Sequence, residues 1–222
     1  MPVVDEEVRK WRDWIEGPIR NDILGMHHER QLWRELGELI TANPAVAETP
    51  SAFWDLMRET YGITQAIAIR RQADRDSRVC SLARLIEEMR DDAPRLTRDY
   101  FVGLWDKNDD YWTRVAHSAF DALAGPGGVH LDPEVPKTDL ERLRSDASKM
   151  ATYVNEHVAH DMAEPTVEDF PTFDDMNAAM DALGEMFKKY ASVLTASSYV
   201  FLEPAMQYDW KAIFRRPWIP SE

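Results

Sequence analysis

Between residues 140 and 158, apolar side chains recur mostly at intervals of three and four: Leu140, Leu143, Ala147, Met150, Ala151, Val154 and Val158. That period belongs to a helix with one buried face. The same spacing returns along the chain. Val4, Val8, Trp11 and Ile15 form one stripe, ended by Gly17-Pro18. A second helix is expected from Pro18 to Thr41. A third should start at Thr49-Pro50, with threonine as cap and proline in the first turn, and run to about Ala73. Shorter stripes follow from Leu82 to Met89, after Thr97, and over residues 111–125. Thr138 with Glu141 reads as a capping box opening the central helix, which should end near Met162; Thr172 with Asp175 resembles another helix start. No stretch alternates as a strand would, and there is no internal repeat. The expectation is one all-α domain over residues 1–222. The helices of residues 4–41 and an aromatic-rich tail over residues 197–222 should pack on the rest of a single helical bundle.

Composition narrows what such a bundle does. A hydrophobic content of 44% supplies a core, and 30% charged residues suit a water-facing surface. The net charge of -14 argues against coating nucleic acid generally, since phosphate binding is driven by Lys and Arg. A local basic site survives that argument. Arg70, Arg71, Arg75, Arg78, Arg84 and Arg90 all lie in one segment, either paired with Asp74, Asp76, Glu87 and Glu88 or forming an anion site. A single cysteine, Cys80, excludes an intrachain disulfide and a cysteine-rich zinc site, and fits a reducing compartment. The N-terminus lacks the apolar core of a signal peptide, and no apolar run approaches the roughly 18 residues of a membrane helix. A cytoplasmic protein without a membrane partner is expected.

The stretch MATYVNEHVAHDM, residues 150–162, holds the densest set of groups able to bind or react. At about 100° per residue, His157 lies some 60° from Val154, at the edge of the buried face. His160 lies about 120° away on the same side, with Glu156 beyond it. Asn155 leaves from the other flank. A structural role is one reading of this strip. A mononuclear metal site on His157 and His160, helped by Glu156 or Asp161, is another. It needs a third ligand from His27, His28 or His117. His27 and His28 are adjacent on a helix, so both cannot face one ion; one should be half-buried and one solvated. His117 should sit at the core edge. No histidine follows a glutamate by three residues, so the Glu-x-x-His signature of a helical di-metal bundle is missing. A third reading is RNA chemistry, in which a histidine exchanges a proton with a ribose hydroxyl and an arginine stabilises charge on phosphate.

NEHVAHD, residues 155–161, resembles the signature of the HEPN superfamily, in which an arginine and a polar residue precede an Ala-His near a helix end. Asn155, Ala159 and His160 match its polar, alanine and histidine positions. IRRQADRDSRVCSLARLIEEM and PTFDDMNAAMDALGEMFKKY are similar to the abortive-infection, AbiU-type branch. The resemblance implies a HEPN-like core from about residue 50 to 195, a homodimer with motifs facing across its interface, and metal-independent RNA cleavage in phage defence without a cofactor. It assigns His160 as acid or base and Asn155 as the residue that orients it or the substrate, with His157 and Glu156 accessory. The positions ahead of the histidine that hold the family's arginine carry Tyr153, Val154 and Asn155. Arg70 and Arg71 are therefore the candidates for holding phosphate from elsewhere in the fold. A non-catalytic binding or scaffold protein of the same fold is the alternative.

Overall fold

The computed structural model describes residues 5–105, 109–160, 162–163, 166 and 170–218. Among them nine α-helices follow in order: α1 Glu6–Trp14, α2 Arg20–Thr41, α3 Pro44–Ala47, α4 Ala52–Gln72, α5 Leu82–Asp91, α6 Arg98–Gly103, α7 Asp110–Ala124, α8 Glu134–Tyr153 and α9 Phe173–Thr195. The described residues contain no strand beyond one isolated bridge, Thr97 with His130. The all-α expectation therefore holds.

The core forms around α9. Met176, Met180, Leu183, Phe187, Tyr190 and Leu194 line its buried face, against Val8, Trp11 and Ile15 of the first segment and Ile19 and Ile23 of the second. Each such fully buried large side chain contributes roughly 1.5–3 kcal/mol. Gly17-Pro18 does bend the chain. Residues Ile15–Ile19 form a π-helical turn with Gly17 out of helical geometry (φ -104°, ψ -106°), at the point where Pro18 has no N–H to give. One buried polar side chain ties three elements together. The Gln72 amide donates to Asp22 at 2.7 Å and accepts from the Leu82 backbone at 3.0 Å, tying α4 to α2 and to the start of α5.

The helix starts at Thr97 and Thr172 stand where the sequence places them, α5 opens behind a Ser81 cap just ahead of its stripe, and Thr172 with Asp175 closes a full capping box. The starts of α8 and α4 and one connection differ. The central helix α8 starts at Glu134, so Thr138 lies inside it; Pro136 sits in the first turn, where a missing N–H costs little. α4 starts at Ala52 behind Ser51, and the Thr49 hydroxyl turns back to donate to the Ala45 carbonyl. The short α3 occupies part of the expected loop.

α8 packs against α4, α5 and α9, and α4 also runs beside the turn that follows α8. This arrangement brings the arginine-rich end of α4 to the motif. The tail covers the bundle at two points. Leu202 is buried and Tyr199 packs on Phe187 with ring centres 5.0 Å apart. Further on, Trp210 donates to Glu35, Lys211 pairs with Glu35 at 2.8 Å, and Trp218 meets Phe53 edge-on. Phe201 and Tyr208 between them stay exposed. No described helix is long and apolar enough to cross a membrane.

Candidate functional site

The motif does not continue α8 to Met162. The α-helix stops at Tyr153, and Val154–Val158 form a single π-helical turn closed by the Ala159 amide on the Val154 carbonyl at 2.7 Å. Such turns are rare and concentrate at functional sites. Widening the helix by one residue changes which way each side chain leaves, so the 100° projection of the strip fails beyond Val154.

The consequences differ residue by residue. Asn155 is exposed and its side-chain oxygen accepts from Arg70 Nε at 2.7 Å. Glu156 turns to the following segment and accepts from the Thr166 amide at 2.7 Å and from its hydroxyl at 2.5 Å. His157 packs its ring on Phe170, 4.9 Å between centres, and leans on Tyr153 at 5.8 Å. His160 lies beyond the turn, exposed. Asp161 lies outside the described residues.

Arg70 stands in the last turn of α4, where a cation also complements the helix dipole. Besides Asn155 it makes a long contact to Asp74 at 3.4 Å. Its Nη2 bonds no described residue, so part of the fork stays available to an anion. Arg71, one position on, faces the other way and pairs with Asp22 at 2.6 Å. The structure thus separates the two candidates: Arg70 joins the motif and Arg71 does not. The remaining arginines of the segment pair with acids, as one of the two sequence readings held. Arg75 meets Glu87, Arg78 meets Asp76 at 2.7 Å, and Arg84 meets Glu88 at 2.9 Å. The Arg75 guanidinium holds the Glu87 carboxyl below the usual carboxylate range, outweighing its burial.

The other histidines do not converge on the motif. His27 is buried and His28 half-buried, one step deeper than expected for each, because α2 presents that face to α9 and the tail. His117 is exposed rather than at the core edge, since α7 buries Ala116 and Phe120 instead. Among the described residues, no group of three or more His, Cys, Asp or Glu is placed to hold a metal ion.

Beside the Arg70–Asn155 contact opens a cavity of about 310 Å³ between α4, α8 and the start of α9. Tyr153, Phe170 and Phe173 are among its lining residues. Nothing in the spacing of the sequence marks it. Phe170 follows an acidic stretch of sequence and Tyr153 lies between two inward positions, yet their rings meet with centres 5.9 Å apart.

A model of the AbiU2 family of HEPN proteins matches residues 9–213. The chain belongs to that family. The match takes in the helices before residue 50 and most of the tail. It places the chain among HEPN-like abortive-infection proteins. No curated protein matches the chain, and no solved structure does.

Proposed function

We propose that this AbiU2-family protein is a metal-independent endoribonuclease of abortive infection whose phosphate-holding arginine is Arg70. The observation that carries the reading is the 2.7 Å bond from Arg70 Nε to Asn155, which supplies across a helix pair the guanidinium that the motif lacks in sequence. The exposed His160 takes the proton from a ribose 2′-hydroxyl. The freed oxygen attacks the adjacent phosphorus, the bond from phosphorus to the 5′-oxygen breaks, and that oxygen takes a proton from solvent. Arg70 stabilises the extra negative charge on the phosphoryl oxygens, and Asn155 fixes the plane of its guanidinium. Glu156 is drawn away by Thr166, which removes an acid from the path of phosphate.

A homodimer would set two such sites face to face, and the second His160 would then give the 5′-oxygen the proton that solvent supplies to a lone site. The test is cleavage of a labelled single-stranded RNA in the presence of a metal chelator. Wild type cleaves; His160→Ala and Arg70→Ala each lose roughly 100- to 1000-fold. Equal turnover by wild type and His160→Ala, or none by either, ends the catalytic reading. The second reading, a binding protein of the same fold, draws on the net charge of -14 and on Asn155 at an arginine position. It expects no turnover, and a change of assembly in His160→Ala.

A further inference from the structure

We infer that the cavity between α4, α8 and α9 is a stacking site for one unpaired base of single-stranded RNA, next to the Arg70–Asn155 pair. The inference rests on the RNA reading of that pair and adds where the substrate's base goes.

The cavity is the right kind of hole. About 310 Å³ is at the small end of ligand sites, matched to a single ring system. Its floor is apolar, from Ile63, Met150 and Met176, the last two buried. Its walls are rings. Phe173 is held in a stack with Tyr61 and Trp33, 6.0 Å from each. Phe170 is 63% exposed, an unusual cost for a phenylalanine, yet it is fixed upright by His157 at 4.9 Å and Tyr153 at 5.9 Å. An exposed ring held by two others beside an apolar cavity is what a base stacks on, and stacking is indifferent to sequence because every base has a π face.

Charge and position agree. Arg58 stands on the rim and, among the described residues, pairs only with Asp55 at 3.0 Å, both side chains mostly exposed, a contact weak enough to yield to a phosphate. Glu59, also on the rim, is an acceptor suited to a base's amino group. Along α4, Gly62 and Ala66 line the cavity, and Ala66 lies four residues, about 6 Å of helix, before Arg70. On α8, Tyr153 lies two residues before Asn155. A nucleotide with its base in the cavity therefore leaves its backbone close to Arg70. A base stacked in a duplex cannot enter, so the substrate is single-stranded or looped.

The test uses the full chain carrying His160→Ala, so that binding is read without cleavage. Two labelled probes of equal length are compared by anisotropy: a mixed-sequence oligoribonucleotide and an abasic ribose-phosphate oligomer. The base-bearing probe should bind roughly 5- to 100-fold tighter, the worth of one stacked base. Phe170→Ala, which removes a mostly exposed ring, and Gly62→Leu, which fills the cavity, should each erase that difference; Phe170→Trp should keep it. Helicity and melting temperature check that Gly62→Leu folds. Equal affinity for the two probes, no binding of either at millimolar concentration, or a preference untouched by both Phe170→Ala and Gly62→Leu overturns the inference. So does a free nucleoside monophosphate that binds at Phe170 while the oligoribonucleotide does not. If discrimination stands but wild type never cleaves RNA, the catalytic reading falls and the base site remains.

Discussion

Arg70 and Asn155, 85 positions apart in sequence, meet at 2.7 Å because α4 runs beside the π turn that closes α8. The contact makes two adjacent arginines unequal. Arg71→Ala removes an exposed pair with Asp22, worth at most about 1 kcal/mol, and should leave RNA cleavage within about twofold of wild type. Arg70→Lys keeps a positive charge but not the planar fork. It should retain RNA affinity while losing most of the rate, and Asn155→Ala should do the same more mildly. Single-turnover cleavage alongside binding separates the two effects; equal losses in Arg70→Ala and Arg71→Ala would dissolve the assignment.

Two helix glycines should respond in opposite directions to alanine. A Cβ on Gly62 meets only Phe173 Cε1 at 4.0 Å, so Gly62→Ala adds helix propensity and stabilises by up to about 1 kcal/mol. A Cβ on Gly184 meets Leu202 Cδ1 at 2.6 Å and His27 Nε2 at 2.9 Å, both in the core. Gly184→Ala should therefore cost about 1–3 kcal/mol despite its better propensity. Thermal melting shows the sign: a chain of this size moves about 2–4 °C per kcal/mol.

The helices were legible because their signal is local. Ser81, Thr97 and Thr172 cap where a short polar side chain precedes an apolar stripe, and the buried face of α9 follows from spacing alone. The candidate site is legible only in part. His160 and Asn155 stand out as polar residues at a helix end, and the arginine cluster stands out by composition. The π turn does not, since a single i to i+5 bond leaves no trace in an apolar period. Without it the expected positions of Glu156 and His157 are rotated, and neither Thr166 nor Phe170 enters the picture. The choice of Arg70 over Arg71 needed the packing of α4 on both α2 and α8, a long-range fact.

His27 should make the fold sensitive to mild acid. Burial lowers its pKa, and the nearby Arg30 lowers it further, outweighing Glu203 and Asp181. The folded ring therefore resists a proton that the unfolded ring accepts near 6.5. Its contribution is intact above that pH and is lost as pH falls from about 6.5 toward the lower folded value. Urea midpoints should drop between pH 7 and 5 in wild type, and the drop should shrink in His27→Gln. An unchanged slope in the variant would assign the effect elsewhere.

Asp175 governs a lower pH window and reaches the cavity. Its carboxylate meets Lys149 at 2.6 Å and accepts from the Thr172 amide and hydroxyl at 2.8 and 2.7 Å, which pulls its pKa down to about 2. The unfolded carboxyl takes up its proton near 3.8, so stabilisation is complete above that value and disappears as pH falls toward 2. Asp175→Asn should flatten the stability profile between pH 4 and 2. Thr172→Ala, which removes the cap, should cost about 1 kcal/mol at neutral pH. The double variant should cost less than the sum, because one network serves both. The same capping box fixes the first turn of α9, where Phe173 lines the cavity two residues before Asp175. Either substitution should then weaken base-dependent RNA binding while leaving affinity for the abasic probe, which needs only phosphate contacts, near wild type. A parallel loss with both probes would show instead that the cap acts on the Arg70 side of the site.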